Sequence, residues 1–237
     1  MDAASFFDAD GGVKELNIDD SDSMKWFKDL EDATDITVST TEDISSLKPK
    51  VVNVIALAQY SCSDLNLVSI ASTIRNAEYK PKRIKAVIIR IRDPKATGLV
   101  FSNGKINIVG CRSIEDAKRA ANKFRKMLQQ IGYDAKLLSY TISSIVATIH
   151  VPFNIAIAQI ANSDGHKLFC QYRPDNFAGL IYKLVSPQCT MLIFQSGSVV
   201  LTAKTKEDLD AGSNWVFPIL KKFEKKSVTE LLNLNPE

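Results

Sequence analysis

"LVFSNGKINIVG", Leu99 to Gly110, is an apolar run ending on an aromatic, a turn at "SNGK", and a second, alternating run. "LIFQSGSVVLTA", Leu192 to Ala203, follows the same plan. Each reads as a β-hairpin with a Phe just before its turn. The surroundings repeat as well. Tyr79 answers to Tyr172, Pro81 to Pro174, Pro94 to Pro187, Phe101 to Phe194 and Gly104 to Gly197, every pair 93 residues apart. Separated landmarks at one offset are the signature of an internal repeat.

Between the landmarks, periodicity predicts the same order of elements twice. Val51–Ser61 reads as a strand, and Leu67, Ile70, Ala71 and Ile74 share one face of a helix. Ile84–Asp93 is a β-branched strand, "PKATG" a turn, and Ser113–Tyr133 a long helix capped by Ser113. Ala117, Ala120, Ala121, Phe124, Met127, Leu128 and Ile131 make the apolar face of that helix. Lys118, Arg119, Asn122, Arg125 and Lys126 lie largely on the other face, with Lys123 at the boundary. The second half offers the strand "YTISSIVATIHV" and the helix "NIAIAQIANSDG". The turn "CQYRPDN", the strand "AGLIYKLVS" and the turn "PQCT" come next. The hairpin follows, and then a helix from Lys206 to Lys226 that Gly212 and Pro218 weaken. The fold class expected is α+β. Two such halves, related by pseudo-twofold symmetry, form one continuous antiparallel sheet with helices on one face. A sheet covered on one side only leaves the other for whatever docks there.

Charge is unevenly spread. Residues 1–47 hold 13 acidic and 3 basic side chains, a balance of −10, and the remainder holds 14 acidic and 27 basic, a balance of +13. A basic body points to a polyanionic partner. The acidic segment is poor in apolar residues and is expected to be mostly disordered, with "MKWFKDL", Met24–Leu30, able to form a short amphipathic helix on a partner. The expected domains are a tail over 1–48, repeats over 49–139 and 140–226, and a second tail over 227–237. No apolar stretch approaches a bilayer span, and the N-terminus lacks the pattern of a signal or transit peptide. Cys62, Cys111, Cys170 and Cys189 are scattered, which suits reduced, buried thiols in an intracellular protein and offers no zinc cluster.

At this point the residues resemble a known family. "NAEYKPKR…AVIIRIRDPKATGLVFSNGK" and "GLIYKLVSPQCTMLIFQSG" are similar to the TATA-box-binding protein family, over about residues 50–226. The resemblance implies a saddle built on a ten-stranded antiparallel sheet, its concave face bare and its helices on the convex face. The concave face of such a saddle sits in the DNA minor groove, where apolar wedges kink the duplex. The wedge positions that match are Ile84, Phe101, Phe177 and Phe194. Ile84 stands where the family usually has Phe, and it lacks an aromatic face to stack on a base. The groove floor matches Asn53, Ile55, Thr97, Leu99, Asn107, Val109, Ser144, Val146, Thr190, Leu192, Val200 and Thr202. The A·T minor-groove edge offers only acceptors, which an amide donor can read. Asn53 matches the family's central Asn, and its counterpart Ser144 reaches less far. Asn107 replaces an apolar residue of the floor, which softens selectivity. Arg83, Arg90, Lys105 and Lys183 match phosphate-contacting positions, which set affinity and salt dependence. Ser198 replaces a Lys in the second turn.

The resemblance also implies partners. A surface at Arg173, Pro174, Asp175 and Asn176 corresponds to the one that meets transcription factor IIB-type proteins, with Arg173 where an acidic residue is usual. Lys118, Arg119, Lys123, Arg125 and Lys126 match a convex helix that docks regulatory factors, IIA-type initiation factors among them. The implied setting is the nucleus and the preinitiation complex, with double-stranded A/T-rich promoter DNA as ligand and no cofactor, metal or membrane. Whether DNA-free molecules pair through the saddle as a homodimer stays open.

An enzyme is poorly supported. The two histidines, His150 and His166, have no nucleophile or carboxylate pair near them in sequence, and "GKINIVG" lacks the Gly-rich cradle of a P-loop. Two other readings stay open. One is a related factor that keeps the saddle as a protein-interaction platform with weak DNA specificity, to which Ile84, Ser144, Asn107 and Arg173 speak. The other is a lipid- or ligand-binding cup, which has no need of cations beside the wedges.

Overall fold

In the structure, a computed structural model, residues 48–225 are described. The amphipathic helix expected at Met24–Leu30 and both expected tails lie outside them, apart from residue 48. Ten strands form one sheet in the order β2-β3-β4-β5-β1-β6-β10-β9-β8-β7. By contact the chain divides into two units, Val51–Val146 and Ala147 onward.

The first unit runs β1 (Lys50–Tyr60), α1 (Leu67–Thr73), β2 (Ala77–Tyr79), β3 (Ala86–Ile91), β4 (Ala96–Phe101), β5 (Lys105–Cys111) and α2 (Ile114–Gln130). Its strands pair antiparallel, Leu99 opposite both Ile88 and Asn107, and Thr97 opposite Arg90 and Val109. Side chains alternate across a strand, so facing partners share a side. Gly98 shows which side α2 takes: a Cβ there would stand 2.6 Å from Cζ of Phe124, on the helix. Thr97, Leu99 and Phe101 therefore point away from α2. Ser113 caps α2 by accepting from the Asp116 N–H at 3.0 Å, with Glu115 and Asp116 in the first turn favourable to the helix dipole. The Tyr60 hydroxyl donates to the Ala121 carbonyl at 2.7 Å and ties β1 to the helix.

β6 (Leu137–His150) carries the chain onward into the second unit, which contains α3 (Ile157–Asn162), β7 (Cys170–Gln171), β8 (Leu180–Leu184), β9 (Cys189–Ile193), β10 (Ser198–Ala203) and α4 (Lys206–Lys222). The order of elements is that of the first unit. Leu192 faces Ile181 and Val200, and Thr190 faces Lys183 and Thr202. Here Gly212 marks the helix side, since a Cβ on it would meet Cys189 Sγ at 2.8 Å.

The two hairpin turns share their geometry. Gly104 (φ +79°) and Gly197 (φ +92°) occupy the left-handed region that favours glycine. Each donates its N–H to the carbonyl of the preceding Phe, Phe101 or Phe194, at 3.1 Å, and each accepts from the first strand of its unit or its continuation, Tyr60 at 3.0 Å and Val151 at 2.9 Å.

Several expected boundaries shift. "PKATG" is not all turn, because Ala96, Thr97 and Gly98 already pair in β4; "PQCT" likewise gives Cys189 and Thr190 to β9. Within the expected turn "CQYRPDN", Cys170 and Gln171 form the short strand β7. β3 begins at Ala86, which leaves Ile84 in the turn before it. α4 passes through Gly212 and Pro218 unbroken and ends at Lys222. Of the four thiols, all free, Cys111 and Cys189 are buried while Cys62 and Cys170 are only half-buried. Burial pushes the Cys111 and Cys189 thiols up to about 11, so they stay protonated at neutral pH.

Candidate nucleic-acid interface

On the side of the first unit facing away from α2, Ile55, Ile84, Ala86, Ile88, Leu99, Phe101 and Val109 form one buried apolar cluster that contains no helical residue, with Leu57 packed against it. Ile84, Ala86 and Phe101 all belong to it, and Ala86 is the Cα partner of Phe101. The second unit repeats this. Phe177 and Phe194 meet edge to face, centroids 5.6 Å apart and planes at 77°, above Gly179. Ile84, Ala86 and Phe101 are related to Phe177, Gly179 and Phe194 by the same 93-residue offset. The pair of the second unit is seated on Gly179, and the first unit has Ala86 at the related position in the same cluster as Ile84 and Phe101. The pairs are buried among their own face's residues, away from the long helices.

The expected floor residues take consistent positions. Thr97, Leu99, Asn107 and Val109 share one side of the β4–β5 hairpin; Thr190, Leu192, Val200 and Thr202 share the corresponding side of β9–β10. Ile55 joins them through the cluster. Asn53 lies two residues before Ile55 on β1, and Ser144 and Val146 have the same two-residue spacing on β6. The Asn53 Oδ1 accepts from the Gly110 N–H at 2.8 Å. Because that neighbour is a donor, the amide must turn its oxygen to it, and its NH2 remains to donate. Asn107 is buried at 1 % exposure, and Ser144 is half-buried.

The cationic positions border these surfaces. Arg83 is exposed beside Ile84. Arg90 and Lys183, again 93 residues apart, are exposed and stand opposite Thr97 and Thr190, on the floor side of their strands. Arg90 Nη1 lies 3.3 Å from Glu78 Oε2. Hydrogen bonds from Lys80 first, and then from Arg90, hold the Glu78 carboxyl below its usual range. Lys105 opens β5 at the first turn and is exposed. Its counterpart Ser198 is buried, its Oγ 3.3 Å from His150 Nδ1.

The expected partner surfaces divide. Arg173, Pro174, Asp175 and Asn176 form an exposed turn, closed by the Asn176 and Phe177 N–H groups donating to the Arg173 carbonyl at 3.0 and 2.8 Å. On α2, Lys118 and Lys126 are exposed. Arg119 is bound to Asp116 and Asp93 at 3.0 and 2.9 Å, and Lys123 donates to the Asp93 carbonyl. Arg125 is only half-exposed and its Nε is buried, so it does not stand on the outer face as expected. Sequence reasoning missed Leu57, Ala86, Ile88 and Gly179. The 93-residue offset links Ala86 to Gly179 and could have found them.

Known proteins carry the same pattern. The family model described as transcription factor TFIID (or TATA-binding protein, TBP) matches residues 48–131 and 139–223. The TATA-box-binding protein of Schizosaccharomyces pombe is 40% identical over 195 residues, 82% of this chain and 83% of that one. The Saccharomyces cerevisiae TATA-box-binding protein is 39% identical over 199 residues, 84% and 82% of the two chains. Among solved structures, Methanococcus jannaschii TBP is similar with a TM-score of 0.62 and 30% identity, covering 74% of this chain and 99% of its own. With the model matched in both halves and relatives alike along most of their length, this chain belongs to the TATA-box-binding protein family.

Proposed function

We propose that the chain is a general transcription factor that binds A/T-rich promoter DNA in the minor groove, kinks it and nucleates assembly of the preinitiation complex in the nucleus. The observation that supports this best is the doubled apolar pair: Ile84 with Phe101, and Phe177 with Phe194, at one register on the side away from the long helices. Each pair is a wedge for one base step, and unstacking a step costs a few kcal/mol that the wider contact returns. On the same side of each hairpin as its wedge, Leu99 and Val109, and Leu192 and Val200, are apolar, and a guanine amino group set against them would be left without a partner. Asn53, its oxygen engaged by Gly110, donates from its NH2 to the N3 and O2 acceptors of A·T pairs. Arg83, Arg90, Lys105 and Lys183 neutralise phosphates, with Arg90 exchanging Glu78 for a phosphate oxygen. The turn Arg173–Asn176 serves a IIB-type factor, and the outward lysines of α2 serve a IIA-type or other regulatory factor.

The wedges are unequal, and that gives the test. Phe194 stacks a ring on a base and packs on a second ring, whereas Ile84 offers only an aliphatic edge. Phe194→Ala is expected to reduce the bend of a TATA-type duplex, measured by fluorescence energy transfer between its ends, more than Ile84→Ala does. Equal losses would refute the unequal-wedge account, and an unbent duplex with the unaltered chain would refute the function.

A further inference from the structure

Beside each hairpin turn stands the same cross-strand pair, filled with different chemistry. In the first unit Gln59 of β1 faces Lys105 of β5. The Gln59 Nε2 donates to the Tyr60 and Asn103 carbonyls at 3.0 and 2.9 Å, so the amide serves the turn and the exposed Lys105 supplies the cation. In the second unit the equivalent residues are His150 and Ser198. The Val151 N–H donates to the Gly197 carbonyl as the Tyr60 N–H does to Gly104, so the residue before Val151 faces the residue after Gly197. His150 Nδ1 lies 3.3 Å from Ser198 Oγ, and the Ser196 hydroxyl donates to that same oxygen at 3.4 Å. Ser198 is buried, while His150 is half-buried. Ser198, Val200 and Thr202 alternate onto one side of β10, which places the imidazole on the side of the floor residues. The Phe194 N–H donates to the Ser198 carbonyl at 2.9 Å and sets the pair beside the wedge.

We propose that His150 binds a phosphate oxygen of the duplex at the second turn, as a neutral hydrogen-bond donor that replaces, from the opposite strand, the cation of the first turn. The proposal rests on the DNA-binding reading above, because it adds one contact to that same surface. Ser198 is the positioning residue. Its oxygen accepts from Ser196, so its own proton goes to Nδ1 of the imidazole. A neutral ring with Nδ1 accepting carries its single proton on Nε2. No described residue is bonded to that nitrogen, and it is the one that donates to the phosphate. A hydrogen bond from a neutral donor to a charged oxygen is strong, yet it brings no positive charge to the duplex. It therefore raises affinity without steepening the response to salt, whereas a lysine contact does both. The two ends of the surface hold the backbone by different means, the first by an ion pair and the second by a neutral donor.

The test uses the full chain and anisotropy titrations over a salt series at about pH 8, above the range in which imidazole ordinarily takes up a proton. His150→Gln installs the residue that the first unit has at this position. It is expected to weaken binding roughly tenfold on duplexes of any sequence, with the slope of log affinity against log salt unchanged. Ser198→Ala is expected to cost about threefold in the unaltered chain and nothing when His150→Gln is already present, since the two act as one unit. The double variant His150→Gln with Ser198→Lys rebuilds the pair of the first unit. It is expected to recover the affinity with a slope steeper by about 1. Unchanged affinity in His150→Gln overturns the proposal. So does a slope flattened by about 1, which would make His150 a cation, and so does a loss confined to one base pair, which would place His150 on a base edge. If the unaltered chain binds no duplex, the DNA-binding reading fails separately, and inorganic phosphate decides the site. The chain has two histidines. A shift of the His150 Nε2 resonance on titration with phosphate at constant ionic strength, with that of His166 unmoved, upholds the site, and an unmoved His150 overturns it.

Discussion

Beneath the Phe177 and Phe194 rings, a Cβ on Gly179 would stand 2.8 Å from Cε1 of the first and 3.0 Å from Cε1 of the second. The related position in the first unit is Ala86, which carries that carbon in the same cluster as the slimmer Ile84. Two aromatics at this spot require glycine below them, whereas an isoleucine and an aromatic leave room for a methyl. Gly179→Ala is therefore expected to destabilise the chain by about 1–3 kcal/mol through overpacking, read as a lower urea midpoint with an unchanged slope. It should also impair bending, because the rings must shift from their packed arrangement. This part of the site was not legible from the chain of letters. Phe101 and Phe194 announce themselves by size, position and repetition, while Ala86 and Gly179 contribute only by what they lack. Arg125 misled for a related reason: helical spacing places it on the polar face, yet its long side chain turns its Nε into the body.

The first hairpin turn depends on Gly104, whose surroundings make demands that those of Gly110, in the strand that follows, do not. At Gly104 a Cβ would fall 2.1 Å from the Cys62 carbonyl oxygen and 2.9 Å from that of Tyr60, and φ is +79°. At Gly110, with φ +86°, a Cβ would find nothing within 4 Å. Gly110→Ala should cost only the conformational term, about 1–2 kcal/mol. Gly104→Ala should cost clearly more, since backbone atoms of the first strand must move. Thermal unfolding of the two variants side by side checks the order, and an equal loss would mean that the turn does not press on the strand. Hairpins and long helices were legible because period-two alternation, turn glycines and helix caps all agree there. Strand starts were not. Thr97 and Gly98 look like turn residues after a proline, but Gly98 is selected by the Phe124 ring above it, and the pairing with Ile89 and Arg90 extends β4 across both. Likewise Gly212 lowers helix propensity in α4, but it admits Cys189 against the helix, so packing overrides propensity.

For the molecule entire, the proposed ligand is a polyanion, and the charge map states how binding should respond to salt. The basic balance of residues 48–237, +13, gives a non-specific attraction that falls with ionic strength. Lys105 and Lys183 each stand for one phosphate contact on that reading. Lys105→Ala and Lys183→Ala should each flatten the slope of log affinity against log salt by about 1, across duplexes of any sequence. An unchanged slope, measured by anisotropy titration over a salt series, would remove that residue from the phosphate set. Ser198→Lys is uninformative by comparison, because Ser198 is buried against His150. The duplication itself was legible, through the 93-residue offset, and the departures between its copies were legible with it. Those departures have a directional consequence. A protein with two identical grips would sit on a palindromic element in either of two headings with equal energy. Here one grip is aliphatic and aromatic, the other doubly aromatic, and only the first turn bears a lysine. On the proposed DNA-binding reading, an element whose two ends differ in stiffness takes the doubly aromatic grip at its more easily unstacked end, which points the molecule one way along the duplex.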